Sequence, residues 1–80
     1  MDEVSVIESL NGIFRDIIEN EDINLTREMS ADDVEGWDSL NHTLIISAVQ
    51  KKFGIKFNLT EVLGLENIGD LVDAILSKNP

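Results

Sequence analysis

Two long segments of this chain place apolar residues at the spacing of one helical face, and twenty residues without such a period separate them. An apolar residue at every third or fourth position marks the buried face of an amphipathic helix. The pattern predicts a first helix over residues 3–18, whose opposite side faces water. Its apolar face is formed by Val6, Ile7, Leu10, Ile13, Phe14 and Ile17.

The second segment predicts a helix over residues 39–53. Gly54 follows it at the position where a left-handed C-terminal cap is common. Lys51 and Lys52 fall in the last turn, where positive charge complements the helix dipole. The expected core stripe of this helix consists of Ile45, Ile46, Val49 and Phe53.

Two further helices are predicted after residue 54. Asn58 and Glu61 have the spacing of a capping box for a short helix over residues 59–63. Asn67 and Asp70 repeat that spacing ahead of another apolar pattern. The last helix is predicted to run to about Ser77, with Ile68, Leu71, Val72, Ile75 and Leu76 at core spacing.

The elements together predict an all-α fold, a small bundle of three main helices plus one short helix, with a long loop between helices 1 and 2. Eighty residues suffice for a single domain over residues 1–80. The loop over residues 19–38 is long for a compact domain, and such loops usually have a function. Within it, Ser30 and Asp33 have the spacing of a single helical turn.

Charge is distributed unevenly along the chain, whose formal net charge is −10. Residues 1–38 hold twelve acids and two bases, whereas residues 39–80 hold four of each. An acidic half disfavours nucleic acid and anionic membranes and favours partners with basic surfaces. No apolar run approaches the roughly 20 residues of a membrane span. We therefore expect a cytoplasmic monomer without membrane insertion or nucleic-acid binding.

The most informative motif is Asp38-Ser39-Leu40, which ends the acidic loop and opens the second helix. Unpaired backbone N–H groups and the helix dipole at such a start favour a phosphate ester by roughly 0.3–1 kcal/mol. Taken alone, Asp38 or Ser39 also suits a simple N-cap, worth about 1 kcal/mol. Asp38-Ser39 alone is therefore compatible both with a phosphate-ester site and with a simple N-cap.

In its surroundings the motif resembles that of the acyl carrier protein family, which has Asp-Ser-Leu at the head of its second helix after a long acidic loop. Phe53-Gly54-Ile55, the short third helix and the apolar fourth also fall where that family has them. The resemblance implies that a phosphopantetheinyl transferase, the carrier-protein synthase, attaches 4′-phosphopantetheine from coenzyme A to Ser39, between Asp38 and Leu40.

The same resemblance implies a carrier rather than an enzyme. No metal site is expected, because the chain has no cysteine and only one histidine. Its arm would hold acyl groups as thioesters for acyl-loading and acyl-transfer enzymes. The chain contains no cysteine, which is consistent with a thiol supplied by a prosthetic arm. An aminoacyl or peptidyl carrier of the same architecture, or an unmodified helical adaptor, remains as the alternative.

Partner recognition is expected around the start of the second helix. On a helical wheel, Leu40 and Leu44 fall opposite the core stripe, so both are expected to be exposed and to bind partners, together with Glu35 and Asp38. Residues 39–53 contain no acid, whereas the family's second helix is acidic. A dedicated lipid, polyketide or envelope-modifying pathway is thus expected at least as readily as general fatty-acid synthesis.

Residue types of two other kinds of site, a hydrolase triad and a calcium loop, also occur in the sequence, but not in the required arrangement. Asp38, Ser39 and His42 are the residue types of a hydrolase triad, but an adjacent Asp38 is poorly placed to orient the imidazole. We expect His42 to pack at the edge of the core and Trp37 to pack on the bundle. The acids of the loop lack the alternating ligands, glycine and final glutamate of an EF-hand.

Overall fold

The computed structural model of the protein describes residues 2–78, which contain four helices and no strand. They are α1 (Glu3–Ile18), α2 (Ser39–Phe53), α3 (Leu59–Leu63) and α4 (Ile68–Lys78). The all-α prediction is confirmed, and α4 ends one residue later than expected. Residues 1, 79 and 80, which the predicted single domain includes, lie outside the described range. No helix in that range is long and apolar enough to cross a membrane.

Both long helices begin at an aspartate and end at a residue in the left-handed conformation. The carboxylates of Asp2 and Asp38 accept hydrogen bonds from backbone N–H groups in the first turns of α1 and α2, respectively. Glu19 caps the end of α1 with φ 61°, and Gly54 caps α2 with φ 66°. The left-handed cap predicted at Gly54 is therefore confirmed.

The core draws on all parts of the chain except α3, and α1 packs against both α2 and α4. Phe53 was expected in the core stripe of α2, but it is only half-buried. It lies in the last turn of the helix and packs against the core, so its place on the core stripe is confirmed and its burial is only partial. The buried apolar residues are Val6, Leu10, Phe14, Ile23, Leu25, Val34, Trp37, Ile45, Ile46, Val49, Ile55, Ile68, Leu71, Val72 and Ile75.

The loop over residues 19–38 is anchored in the core by buried Ile23, Leu25, Val34 and Trp37. The backbone N–H of Leu25 donates to Asn11 Oδ1 of α1 at 2.7 Å. These side chains have no regular spacing, so periodicity could not reveal their burial. The loop is consequently a packed part of the domain.

Arg27 ties the same loop to two helices through its guanidinium. It forms ion pairs with Glu3 of α1 at 2.6 Å and Asp73 of α4 at 2.9 Å. These carboxylates raise the pKa of Arg27, and the Arg27 hydrogen bond lowers the pKa of Asp73. The single turn expected at Ser30 is also present, since the Asp33 backbone N–H donates to the Ser30 carbonyl at 2.9 Å.

The two capping signals after residue 54 have different outcomes. Asn58 and Glu61 form the full reciprocal capping box at the start of α3. Asn67 Oδ1 accepts the Asp70 N–H at 2.8 Å, but the Asp70 carboxylate accepts from the Glu66 N–H at 3.0 Å instead of reaching Asn67. The predicted box at α4 is therefore only half right.

Candidate functional site

Ser39 is the first residue of α2 and is exposed. The preceding Asp38 caps the helix: its Oδ1 accepts the Asn41 N–H at 2.8 Å, and its carbonyl accepts the His42 N–H at 2.8 Å. These bonds leave the N–H groups of Ser39 and Leu40 at the open helix end, where an anion is stabilised. The Asp38 cap thus presents the Ser39 hydroxyl in a favourable setting for a phosphate ester.

Gly36 brings the loop into position before this cap. Its φ of +94° is unfavourable for residues with a side chain, and a Cβ there would lie 2.6 Å from Ile18 Cγ2 at the end of α1. Its carbonyl accepts from Asn41 Nδ2 at 2.7 Å. The close approach to α1 and the bond to α2 together fix where the second helix starts.

Trp37 packs into the bundle beside the motif, as expected. Its ring meets Phe14 edge-on, with centroids 5.0 Å apart, and only 7% of the residue is exposed. Its indole Nε1–H donates to His42 Nδ1 at 3.0 Å. His42 is half-buried in the first turn of α2, so its expected place at the edge of the core is confirmed.

This hydrogen bond also decides against a hydrolase triad. In a triad, an acid holds the imidazole nitrogen that faces away from the serine. Here Trp37 holds His42 Nδ1, and the Asp38 carboxylate is bound to a backbone N–H of α2. Asp38 therefore does not orient His42. Among residues 2–78, moreover, no group of acids or histidines is arranged to hold a metal ion.

A cleft of about 370 Å³ opens beside Ser39. It lies between the loop, the first turn of α2 and the connection from α3 to α4. No local pattern in the sequence predicts its walls at Ala31, Leu65 and Glu66, because they are brought together by contacts between distant segments. The full lining consists of Ala31, Trp37, Asp38, Ser39, His42, Leu65 and Glu66.

The residues predicted to bind partners lie close to Ser39 along the chain. Leu40 is 71% exposed and Leu44 is 47% exposed, which confirms the predicted exposure of both. Four residues apart, they share one side of α2. Glu35 and Asp38 are also exposed just before the helix.

The residues present fit a phosphopantetheine group. An exposed serine hydroxyl can form the ester, the unpaired N–H groups at the helix start suit its phosphate, and an open cleft lies alongside. Such an arm supplies a thiol that binds acyl groups as thioesters. The chain has no cysteine of its own to do so.

Comparison with known proteins agrees with this geometry. A family model described as a phosphopantetheine attachment site matches residues 8–75. The fold and this match define a non-catalytic carrier with a covalently attached phosphopantetheine. The chain belongs to the acyl carrier protein family.

Two solved structures show the same fold. The solution NMR structure of holo acyl carrier protein from Geobacter metallireducens is 42% identical, covers 90% of this chain and 83% of its own, and has a TM-score of 0.83. A Mycobacterium tuberculosis protein described as an acyl carrier protein is 21% identical, covers 88% of this chain and 93% of its own, and has a TM-score of 0.78. The second supports the fold alone. A comparison with curated proteins gives no match.

Proposed function

We propose that this chain carries acyl groups as thioesters on a phosphopantetheine arm attached to Ser39 and presents them to partner enzymes. The observation that carries the assignment is the exposed Ser39 directly after the Asp38 cap of α2. In the loading step, Ser39 Oγ forms an ester bond to the phosphorus of the phosphopantetheine portion of coenzyme A. The phosphoanhydride bond of coenzyme A breaks, the hydroxyl proton is lost, and the nucleotide leaves with the other phosphate.

Intact mass after co-expression with a broad phosphopantetheinyl transferase tests the attachment. We expect a gain of one phosphopantetheine, mapped by peptide fragmentation to Ser39, and no gain for Ser39→Ala. Ser47→Ala is the matched control, since Ser47 is an exposed serine in the middle of the same helix. A gain at another serine would overturn the site, and no gain at all would favour an unmodified adaptor.

For partner docking, the exposed leucines of α2 support an apolar contact. Leu40 and Leu44 stand on a helix that has no acid, whereas Glu35 and Asp38 lie at its start. A matching partner would offer an apolar pocket to the leucines and basic groups to the two carboxylates. This pattern favours a carrier of a dedicated acyl pathway over a carrier that partner enzymes recognise mainly through its charge.

Leu44→Glu tests the docking surface. Because Leu44 is exposed, stability should change by no more than about 0.5 kcal/mol. Binding to the chain's own partner enzyme should weaken by about 1–3 kcal/mol, since a leucine contact is replaced by an unpaired charge. An enzyme adapted to acidic carriers should bind better, with stronger dependence on salt.

Titration of both enzymes at two salt concentrations gives the comparison. Val4→Glu is the matched control, because Val4 is equally apolar and 67% exposed at the start of α1. It lies far along α1 from Ile18, which approaches the loop before Ser39. Equal effects of the two substitutions would place Leu44 outside the interface.

We further propose that the cargo is an acyl group of a lipid, polyketide or envelope-modifying pathway, with an aminoacyl or peptidyl cargo as the alternative. Loading assays with acyl- and aminoacyl-activating enzymes would separate these cargoes. We also propose a cytoplasmic monomer. Analytical ultracentrifugation and localisation of a tagged chain test those two points.

A further inference from the structure

The hydrogen bond between Trp37 and His42 fixes which imidazole nitrogen carries a proton. An indole N–H can only donate, so His42 Nδ1 must accept with its lone pair. A doubly protonated ring could not accept this bond. The bond therefore selects the neutral ring with its proton on Nε2, which makes Nε2–H a donor of fixed direction.

That donor belongs to a ring that lines the cleft beside Ser39. The hydrogen bonds of residues 2–78 include none to His42 Nε2, and no side-chain nitrogen in that range is buried without a partner. His42 Nε2 is therefore not fully buried, and it belongs to a ring beside the open cleft.

No other side chain of the cleft has an available N–H group. Of the lining residues, all within the described range, only Trp37 and His42 carry side-chain N–H donors, and that of Trp37 is already bound. Asp38 and Glu66 add carboxylates, which in ionised form only accept hydrogen bonds. An anionic group in this cleft would find its side-chain donor at His42.

Ser39 and His42 are close enough for such a contact. Residues three apart on a helix have Cβ atoms about 5–6 Å apart and share one side. A phosphodiester on Ser39 Oγ brings anionic oxygens towards this side of the helix. A hydrogen bond from a neutral donor to an ionised acceptor is stronger than one between neutral groups.

We propose that His42, oriented by Trp37, binds the arm at its root by donating its Nε2–H to a phosphodiester oxygen on Ser39. This inference rests on the proposed function, since it requires the arm on Ser39. His42 would thus act as a positioning residue that holds the root of the arm beside the cleft. A partner enzyme that withdraws the arm would have to break this contact.

Nitrogen NMR of the single histidine tests the proposal, because the chain contains only one. With ¹⁵N-histidine, the apo protein should show an unprotonated Nδ1 and a protonated Nε2. Loading should shift the Nε2 resonance and produce nuclear Overhauser contacts between the His42 ring and the arm. Intact mass, measured on the same sample, reports whether Ser39 carries the arm.

Phosphorus NMR of holo variants supplies the second readout. His42→Ala should move the ³¹P resonance towards that of a loaded, unstructured peptide, whereas His42→Gln should retain part of the wild-type shift. Glutamine can accept from Trp37 and donate to the phosphate, which also preserves the fold if alanine does not. Ser47→Ala is the control and should leave the ³¹P resonance in place.

The outcomes separate this inference from the proposed function. No gain in mass would overturn both. A normal gain in mass with unchanged His42 and ³¹P resonances would overturn only the contact from His42. Equal populations of the two neutral ring forms in the apo protein would overturn the orientation by Trp37.

Discussion

In this chain the irregular loop over residues 19–38 contributes buried side chains to the core, whereas the regular helix α3 contributes none. The loop has no long helix, yet it buries four apolar side chains, including Leu25 and Trp37. None of the five residues of α3, all within the described range, is buried. Leu59 and Leu63 of α3 are exposed instead.

Backbone regularity and anchoring in the core are therefore separate properties. α3 satisfies its own backbone through the Asn58–Glu61 capping box. It is held at the surface by half-buried Val62, which packs against the core, and by an ion pair of Glu61 with Lys78 at 2.9 Å. The loop is held by buried side chains and by Arg27. The region before Ser39 is therefore rigidly placed even though it is irregular.

Leu25→Ala should have the largest effect of the substitutions that test this comparison. Leu25 is 6% exposed, and truncation of a buried leucine costs about 2–5 kcal/mol because it loses apolar burial and leaves a cavity. Urea unfolding measures the loss. A change below about 0.5 kcal/mol would show that the loop does not belong to the core.

Gly36→Ala should have the next largest effect. Alanine would be forced into a left-handed conformation and would meet Ile18, so we expect a loss of about 1–3 kcal/mol in unfolding free energy. Gly12→Ala is the matched control: its added Cβ meets nothing within 4 Å, and alanine is favoured inside a helix by about 0.5–1 kcal/mol. Thermal melting should therefore shift in opposite directions, and a common shift would contradict the assignment of strain to Gly36.

Leu63→Ala should change the unfolding free energy by no more than about 0.5 kcal/mol, because Leu63 is 75% exposed on α3. The same urea measurement applies as for Leu25→Ala, with the same change of side chain. If the two substitutions cost the same, the proposed contrast between loop and helix would be wrong.

Acid should slightly weaken the Arg27–Asp73 ion pair, which holds the loop, and the Glu61–Lys78 ion pair, which holds α3. Hydrogen bonds to Arg27 lower the pKa of Asp73, and hydrogen bonds to the Asn58 backbone and Lys78 lower the pKa of Glu61. A carboxylate whose pKa is lower in the folded state stabilises the fold at any pH above its unfolded-state pKa. This stabilisation is lost as the pH falls through the folded-state pKa.

Melting temperatures between neutral and acid pH measure this loss. Asp73→Asn and Glu61→Gln should each remove part of the pH dependence of the melting temperature. The first substitution removes the carboxylate that holds the loop, and the second removes the one that holds α3. Curves parallel to the wild type would show that neither ion pair contributes.

Helix bounds could be predicted because they depend on local signals. The spacing of Val6, Leu10 and Phe14 indicated α1, and the Asn58–Glu61 box and Gly54 marked where α3 begins and α2 ends. These signals act within a few residues. The structure therefore agrees with them closely.

Features that depend on contacts between distant segments could not be predicted. Nothing near Arg27 in sequence indicates that it joins Glu3 and Asp73, and nothing near Leu65 places it beside Ser39. Trp37 and His42 were each expected to pack, but their hydrogen bond depends on how the loop meets α2. The cleft beside Ser39 and the hydrogen bond that orients His42 are therefore seen only in the three-dimensional structure.

The position of Trp37 also provides a built-in optical probe. It is the only tryptophan in the chain, it touches Phe14 in the core, and it binds the imidazole that lines the cleft. Its emission should respond to unfolding through the first contact and to events at the cleft through the second. Fluorescence of the unlabelled protein can therefore follow arm attachment and partner-induced withdrawal in real time.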